Sequence, residues 1–304
     1  MKAATSSAPR TDVYEIITNR IIMALENGVT PWKKPWNAAH GAPRNYRSKH
    51  AYQGVNALLL GMLEYEQPYF LTYNQAKELG GQVRRGEKGM PVVFFTVTKK
   101  DDGTGKEKKK AFLKYSTVFN VAQIDGVEWK IPELPSREHT PEQAAEQVLA
   151  GYVGGPRVLH QGSEAVYRTS TDTVAMPEAS NFHTAEDYYH TLFHELTHST
   201  GHTKRLDRAT LTEVAAFGSE TYAKEELVAE LGASFLSNAA GLDLTRTEPS
   251  SASYIANWLQ ALRNDKQLII SAASQGQKAA NHILGIVPSY EAEEAPGAED
   301  AAPQ

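Results

Sequence analysis

The chain has 304 residues, 41% apolar and 22% charged, enough for two ordinary domains. Its formal charge of −5 hides an uneven split: residues 1–130 carry 20 Lys and Arg against 12 Asp and Glu (+8), and residues 131–304 carry 11 against 24 (−13). The absence of cysteine excludes a disulfide scaffold, a thiolate metal site and a cysteine nucleophile, so any metal falls to His, Asp and Glu.

Residues 1–10 are polar and lack an apolar segment, so they read as a disordered tail and not as a secretory signal. No run approaches the roughly 18 apolar residues of a membrane span; a soluble, cytoplasmic protein is expected. Asp12 is placed to cap a helix running to about Asn27, with Val13, Ile17, Ile21 and Ala24 on one face and Gly28 as its stop. A Pro- and Trp-rich loop follows, and then short helices over 56–64 and 74–79. The β-branched and aromatic runs 91–98 and 111–121 predict an antiparallel hairpin joined by a long basic loop, 99–110. The first module, 11–130, is therefore α+β. Three prolines mark 131–141 as a linker to a second module over 142–288. There a helix from Thr140 or Pro141 to about Ala150 precedes short strands near 157–159, 165–168 and 173–176. Long helices over 185–200 and 220–240 and a further one over 253–274 complete it. The Glu-, Ala- and Pro-rich stretch 289–304 is expected to be a solvated, acidic tail.

His194-Glu195-Leu196-Thr197-His198 forms an H-E-x-x-H pattern. On a helix, positions i and i+4 share a face, so both imidazoles can bind one Zn²⁺. Glu195 then projects beside the metal, placed to take a proton from water and return it to a leaving amine. Thr184 with Asp187 resembles a capping box, and Gly201 suits a C-terminal stop. The competing reading is an ordinary surface helix. His190 and His202 extend the four-residue interval and stand open as ligands, supporting groups or bystanders.

A catalytic site needs a third protein ligand. Glu226 is the expected one, with Glu225 and then Glu230 as alternatives. Glu230, one turn beyond Glu226, is placed to hydrogen-bond the free ring nitrogen of a ligating histidine. Ala229, Gly232 and Ala233 would let this helix pack close against the first. The same donors suit Mn²⁺ or another divalent ion as well as zinc. Residues 171–177 read either as a strand edge that takes an extended peptide or as an ordinary sheet strand.

In the basic half, Trp32, Lys33, Lys34 and Trp36 put two aromatics beside two cations, the mixture that single-stranded nucleic acid needs for stacking and phosphate contact. Arg44, Tyr46, Arg47, Lys49 and Tyr52 extend the pattern, as do Arg84, Arg85, Lys88 and the lysines of 106–110. Each piece alone has a plainer reading, since prolines beside tryptophans often anchor loops in cores and lysine runs are often merely solvated.

The segments NGVTPWKKPW, YQGVNALLL, YFLTYNQAKELGGQVRRGEKGMPVVFF and STVFNVAQIDG resemble the N-terminal domain of the plasmid antirestriction ArdC family. MPEASNF, YYHTLFHELTHSTGHTKRLDR and YAKEELVAELGASFL resemble that family's zincin-type metallopeptidase domain. The likeness covers roughly 10–285. It implies an α+β, two-domain chain: an N-terminal domain that binds single-stranded DNA and a C-terminal zincin-like (gluzincin) domain. It also implies a role in protecting conjugative DNA from restriction, with an unidentified protein as substrate of the peptidase. Two other functions stay in view: a DNA-coating protein with a structural or vestigial metal site, and an ordinary peptidase whose basic domain recruits acidic proteins.

Overall fold

The structure, a computed structural model, describes residues 12–33, 41–63, 65–101, 107–132, 138–212 and 219–287. The expected tails at 1–10 and 289–304, Lys34, Trp36 and the middle of the expected linker lie outside the described residues. No described helix is long and apolar enough to cross a membrane.

Helix α1 (Val13–Glu26) starts where Asp12 accepts from the Tyr14 amide at 3.0 Å, and it buries Val13, Ile17, Ile21 and Leu25. After a 3-10 turn at Pro31–Lys33, strand β1 (Arg44–Asn45) leads into α2 (Gly54–Gly61). That helix begins two residues earlier than its sequence pattern suggests. Gly54 takes φ +55 and lies against the Ala273 carbonyl, so a site far along the chain sets the start. Strand β2 (Tyr69–Thr72), helix α3 (Tyr73–Glu78), strand β3 (Gln82–Val83) and the hairpin of β4 (Met90–Asp101) and β5 (Glu107–Asn120) follow, then β6 (Ile124–Asp125). Thr72 and Gln75 form a reciprocal capping box at the start of α3.

Four strands form one sheet in the order β1-β2-β5-β4, with β1 and β2 parallel and the other pairs antiparallel; β3 and β6 make a separate ribbon. The hairpin exceeds expectation. Pairing continues through Lys99↔Lys109 to Asp101↔Glu107, so most of the expected basic loop is strand. A polar run lacks the alternating apolar signal, yet backbone pairing alone extends a ribbon.

Beyond α4 (Pro141–Gly151), strands β7 (Arg157–His160), β8 (Val166–Arg168) and β9 (Thr173–Met176) form a sheet in the order β7-β9-β8. β9 is therefore the central strand, parallel to β7 and antiparallel to β8. Of the two readings of 171–177, the ordinary sheet strand holds: Thr173–Met176 is paired on both sides, and β7 and β8 are the outer strands. The helices α5 (Ala185–Thr200), α6 (Ala209–Thr212), α7 (Glu220–Ala240), α8 (Ala252–Asn264) and α9 (Leu268–Ile283) complete the fold. The single helix expected over 253–274 is two, because Asp265 adopts φ −135 and its carboxylate caps the Gln267 amide at 2.9 Å.

One hydrophobic core runs from Val13, Ile17 and Leu58 to Leu192, Leu227, Trp258 and Ile269. α1 packs on α8, α2 on α9, and α7 between α5 and α9. Glycines set the closest of these approaches. A Cβ at Gly232 would meet Thr197 at 2.4 Å, and one at Gly276 would meet the Gly232 nitrogen at 2.9 Å.

Candidate metal centre

Helix α5 owes its position to Thr184, whose hydroxyl caps the Asp187 amide at 3.0 Å, and to apolar Leu192, Phe193 and Leu196 packed inward. The one-turn spacing then brings His194 Nε2 and His198 Nε2 to 3.1 Å of each other. Glu226 arrives from α7, with Oε2 3.4 Å from His194 Nε2 and Oε1 3.6 Å from His198 Nε2. One donor atom from each of the three residues lies within 4.8 Å of the others. Two imidazole nitrogens and a carboxylate facing a common point are a donor set suited to a divalent cation.

Two further carboxylates hold the histidines from behind. Glu225 Oε1 lies 3.1 Å from His198 Nδ1, and its Oε2 accepts from Arg208 Nε at 2.8 Å and from the Thr210 hydroxyl. Burial would raise the Glu225 carboxyl, but Arg208 and His198 hold it down at about 2. Glu225 thus engages Arg208 and His198 Nδ1, whereas the donors grouped within 4.8 Å are those of His194, His198 and Glu226. Glu230 Oε2 lies 3.4 Å from His194 Nδ1. Burial opposes protonation of His194, yet Glu226 and Glu230 keep it well above the ordinary histidine range.

His190 is buried on the same face, with Nδ1 3.2 Å from the Ser237 hydroxyl. His202 lies outside the cluster and accepts the Lys204 amide at 3.1 Å. Tyr222, which the sequence pattern does not single out, lies beside Glu226, and its hydroxyl is 3.4 Å from that of Tyr254. A four-residue offset to Glu226 on the same helix was the available signal.

Glu195 is 8% exposed, and its Oε2 accepts the Tyr167 backbone amide of β8 at 2.6 Å. Tyr167 is fixed in turn: its hydroxyl donates to Asp172 at 2.9 Å, and Arg205 bonds both. A cavity of about 400 Å³ adjoins the cluster, walled by Lys33, Phe182, His190, Thr191, Glu226, Glu230 and Tyr254.

Residues 11–119 match the model of the N-terminal domain of anti-restriction factor ArdC, and residues 143–275 match that of a zincin-like metallopeptidase. The crystal structure of the antirestriction ArdC protein from plasmid R388, in its metal-free form, superposes with a TM-score of 0.71 at 37% identity, covering 91% of this chain and 100% of that one. The chain belongs to the ArdC antirestriction family. The Mn(II)-bound R388 ArdC structure gives a TM-score of 0.72 at 38% identity, with 90% and 98% covered. Uncharacterized protein y4eC of Sinorhizobium fredii is 38% identical over 288 residues, 89% of this chain and 91% of the relative. DNA primase TraC of Escherichia coli is 36% identical over 298 residues, but the chain spans only 27% of its length.

Within this ArdC-family chain, the candidate DNA contacts meet different fates. Trp32 is 0% exposed and packs inside the molecule, so it cannot stack on a base. Its indole instead donates to Glu230, and burying the flat ring removes more apolar surface than an exposed loop would. Lys33 lies on the cavity wall, its Nζ 2.7 Å from the Glu248 carbonyl. Arg44 and Tyr46 are half-buried; Tyr46 packs against Trp129 with centroids 4.9 Å apart, under Lys49 at 3.8 Å. Arg84 is exposed and bonded to Glu87 and Asp125, while Arg85 and Lys88 are exposed. Two hairpin aromatics that the sequence pattern does not single out stand in solvent: Phe95 at 59% and Tyr115 at 48%, on adjacent paired strands.

Proposed function

We propose that this chain binds single-stranded DNA through its basic segment, 11–130, and cleaves a protein substrate at a metal centre in 142–288, as part of a plasmid antirestriction role. The convergence of His194 Nε2, His198 Nε2 and Glu226 on one point carries the reading. These three residues would hold the ion, zinc or manganese. When bound, such a cation polarises the scissile carbonyl and acidifies the attacking water. The chain's own groups do the rest. Glu195 takes the proton of the attacking water and delivers it to the leaving amine, with its Oε2 anchored by the Tyr167 amide and its other oxygen left for the reaction. Glu225 and Glu230 keep the histidine rings in register.

Replacing Glu195 with Gln preserves an acceptor for the Tyr167 amide and removes the base. Peptide hydrolysis should fall by roughly 10²- to 10⁴-fold, while Mn²⁺ and single-stranded DNA binding persist. Antirestriction that survives this change undiminished would show that proteolysis is not the protective step.

The DNA contacts are Lys33, Lys34, Trp36, Arg44, Tyr46, Arg84, Arg85 and Lys88, with exposed Phe95 and Tyr115 as stacking faces; buried Trp32 is not among them. Base stacking contributes about 1–3 kcal/mol per aromatic, so Phe95→Ala or Tyr115→Ala should weaken oligonucleotide binding by roughly 5- to 150-fold. Gel shifts at two salt concentrations should show a steep salt dependence from phosphate contacts; a flat response would leave the ordinary peptidase reading.

A further inference from the structure

The turn at Pro31–Lys33 follows α1 but sends its central side chain into the metal-bearing half of the molecule. Trp32 is 0% exposed and packs edge-to-face on Trp258, ring centroids 5.2 Å apart. Its indole N–H donates to Glu230 Oε1 at 3.3 Å, across 198 positions of sequence. The other oxygen of Glu230 faces His194 Nδ1 at 3.4 Å. Its other neighbour, His190 Nε2, stands off at 3.7 Å, beyond hydrogen-bond range. The carboxylate that aims His194 is thus itself held by an indole from the other end of the chain. Trp258 offers an internal contrast. It is 3% exposed, yet among the described residues its indole nitrogen has no hydrogen-bond partner. Both tryptophans fill space, but of the two it is Trp32 that donates to Glu230.

We propose that Trp32 is a positioning residue for the metal centre: its indole N–H fixes Glu230 and, through Glu230, the ring of His194. The inference rests on reading His194, His198 and Glu226 as the metal ligands. Without this donor, Glu230 Oε1 is a buried carboxylate oxygen drawn toward His190 Nε2, and a turn of the carboxylate carries its other oxygen away from His194 Nδ1. The zincin-like segment is consequently not self-sufficient, because residues 31–33 complete the support of its site.

The test titrates Mn²⁺ calorimetrically into the full-length wild type, Trp32→Phe and Trp258→Phe, with circular dichroism and melting of each metal-free protein. Wild type should bind one Mn²⁺; Trp32→Phe should bind roughly 10-fold more weakly, as groups behind metal ligands do; Trp258→Phe should match wild type. The visible spectrum of the Co²⁺-loaded protein should change for Trp32→Phe alone. Equal affinity in wild type and Trp32→Phe, or parallel losses in both variants, overturns the proposal, the latter because packing would then account for the effect. Should Trp32→Phe not fold, benzothienylalanine at position 32 keeps the ring shape without the N–H and is judged by the same comparison. A wild type that binds no Mn²⁺ sinks the ligand assignment itself, and the wild-type titration identifies that failure separately.

Discussion

Charges buried around the cluster are matched pair by pair, and each match has a measurable cost of removal. Arg208 is 5% exposed and bonds both oxygens of Glu225, the Thr200 hydroxyl and the Thr197 carbonyl. Arg208→Leu takes from buried Glu225 its one full positive charge and leaves it His198 and the Thr210 hydroxyl, which should cost about 3 kcal/mol, read as a lower melting temperature. The Asp172–Arg205 pair locks Tyr167 behind Glu195. Arg205, against the cost of burial, holds the Asp172 carboxyl below its ordinary 3.8. A depressed carboxyl stabilises the fold fully above 3.8 and loses that contribution as pH falls below it. Asp172→Asn, which tolerates the left-handed φ of +50 at this position, should therefore lower stability by about 2 kcal/mol at pH 7. The gap to wild type should narrow as melting is repeated below pH 3.8. A gap independent of pH would exclude the ion pair as its source.

Among the elements, α5 and α7 appear over the residues their periodicity and caps predict, because Thr184, Ser219 and the αL glycine Gly241 mark their ends by local chemistry. Their closeness was half legible, since small residues on α7 announced it without naming the partner. Gly232 faces Thr197 on α5 and Gly276 on α9, so three helices meet at one glycine. Gly232→Ala forces a methyl into Thr197 and should cost about 1–3 kcal/mol by overpacking; adding Thr197→Ala should restore part of it, a coupling that a double-mutant cycle of melting curves reads directly. The break between α8 and α9 was not legible. No Gly or Pro marks it. Asp265 turns the chain where the Lys266 carbonyl accepts Thr18 of α1 at 2.7 Å, a contact with the far end of the sequence.

At the scale of the whole molecule, the basic and acidic halves of the sequence share one core. Asp12 pairs with Lys266, Glu26 with Arg263, and the Gly54 amide with Gln277. A continuous core melts cooperatively, so calorimetry of the full chain should give a single transition. A fragment ending at residue 132 should expose the faces of α1 and α2 that α8 and α9 cover, and it should bind a hydrophobic dye such as ANS. Two separated transitions, each matching an isolated fragment, would contradict this coupling.

By itself the sequence determined what depends on neighbours a few residues away. The spacing of His194, Glu195 and His198 puts two imidazoles on one helical face whatever the rest of the chain does, and capping residues mark where that helix begins and ends. Tertiary structure alone decided which of three adjacent carboxylates takes which part. Glu226 faces the histidines' Nε2 atoms, Glu225 answers Arg208, and Glu230 reaches back to Trp32. It also decided that Trp32, which composition reads as a stacking residue, lies inside. A side chain's neighbours, not its type, fix its role, and these neighbours stand up to 198 positions away.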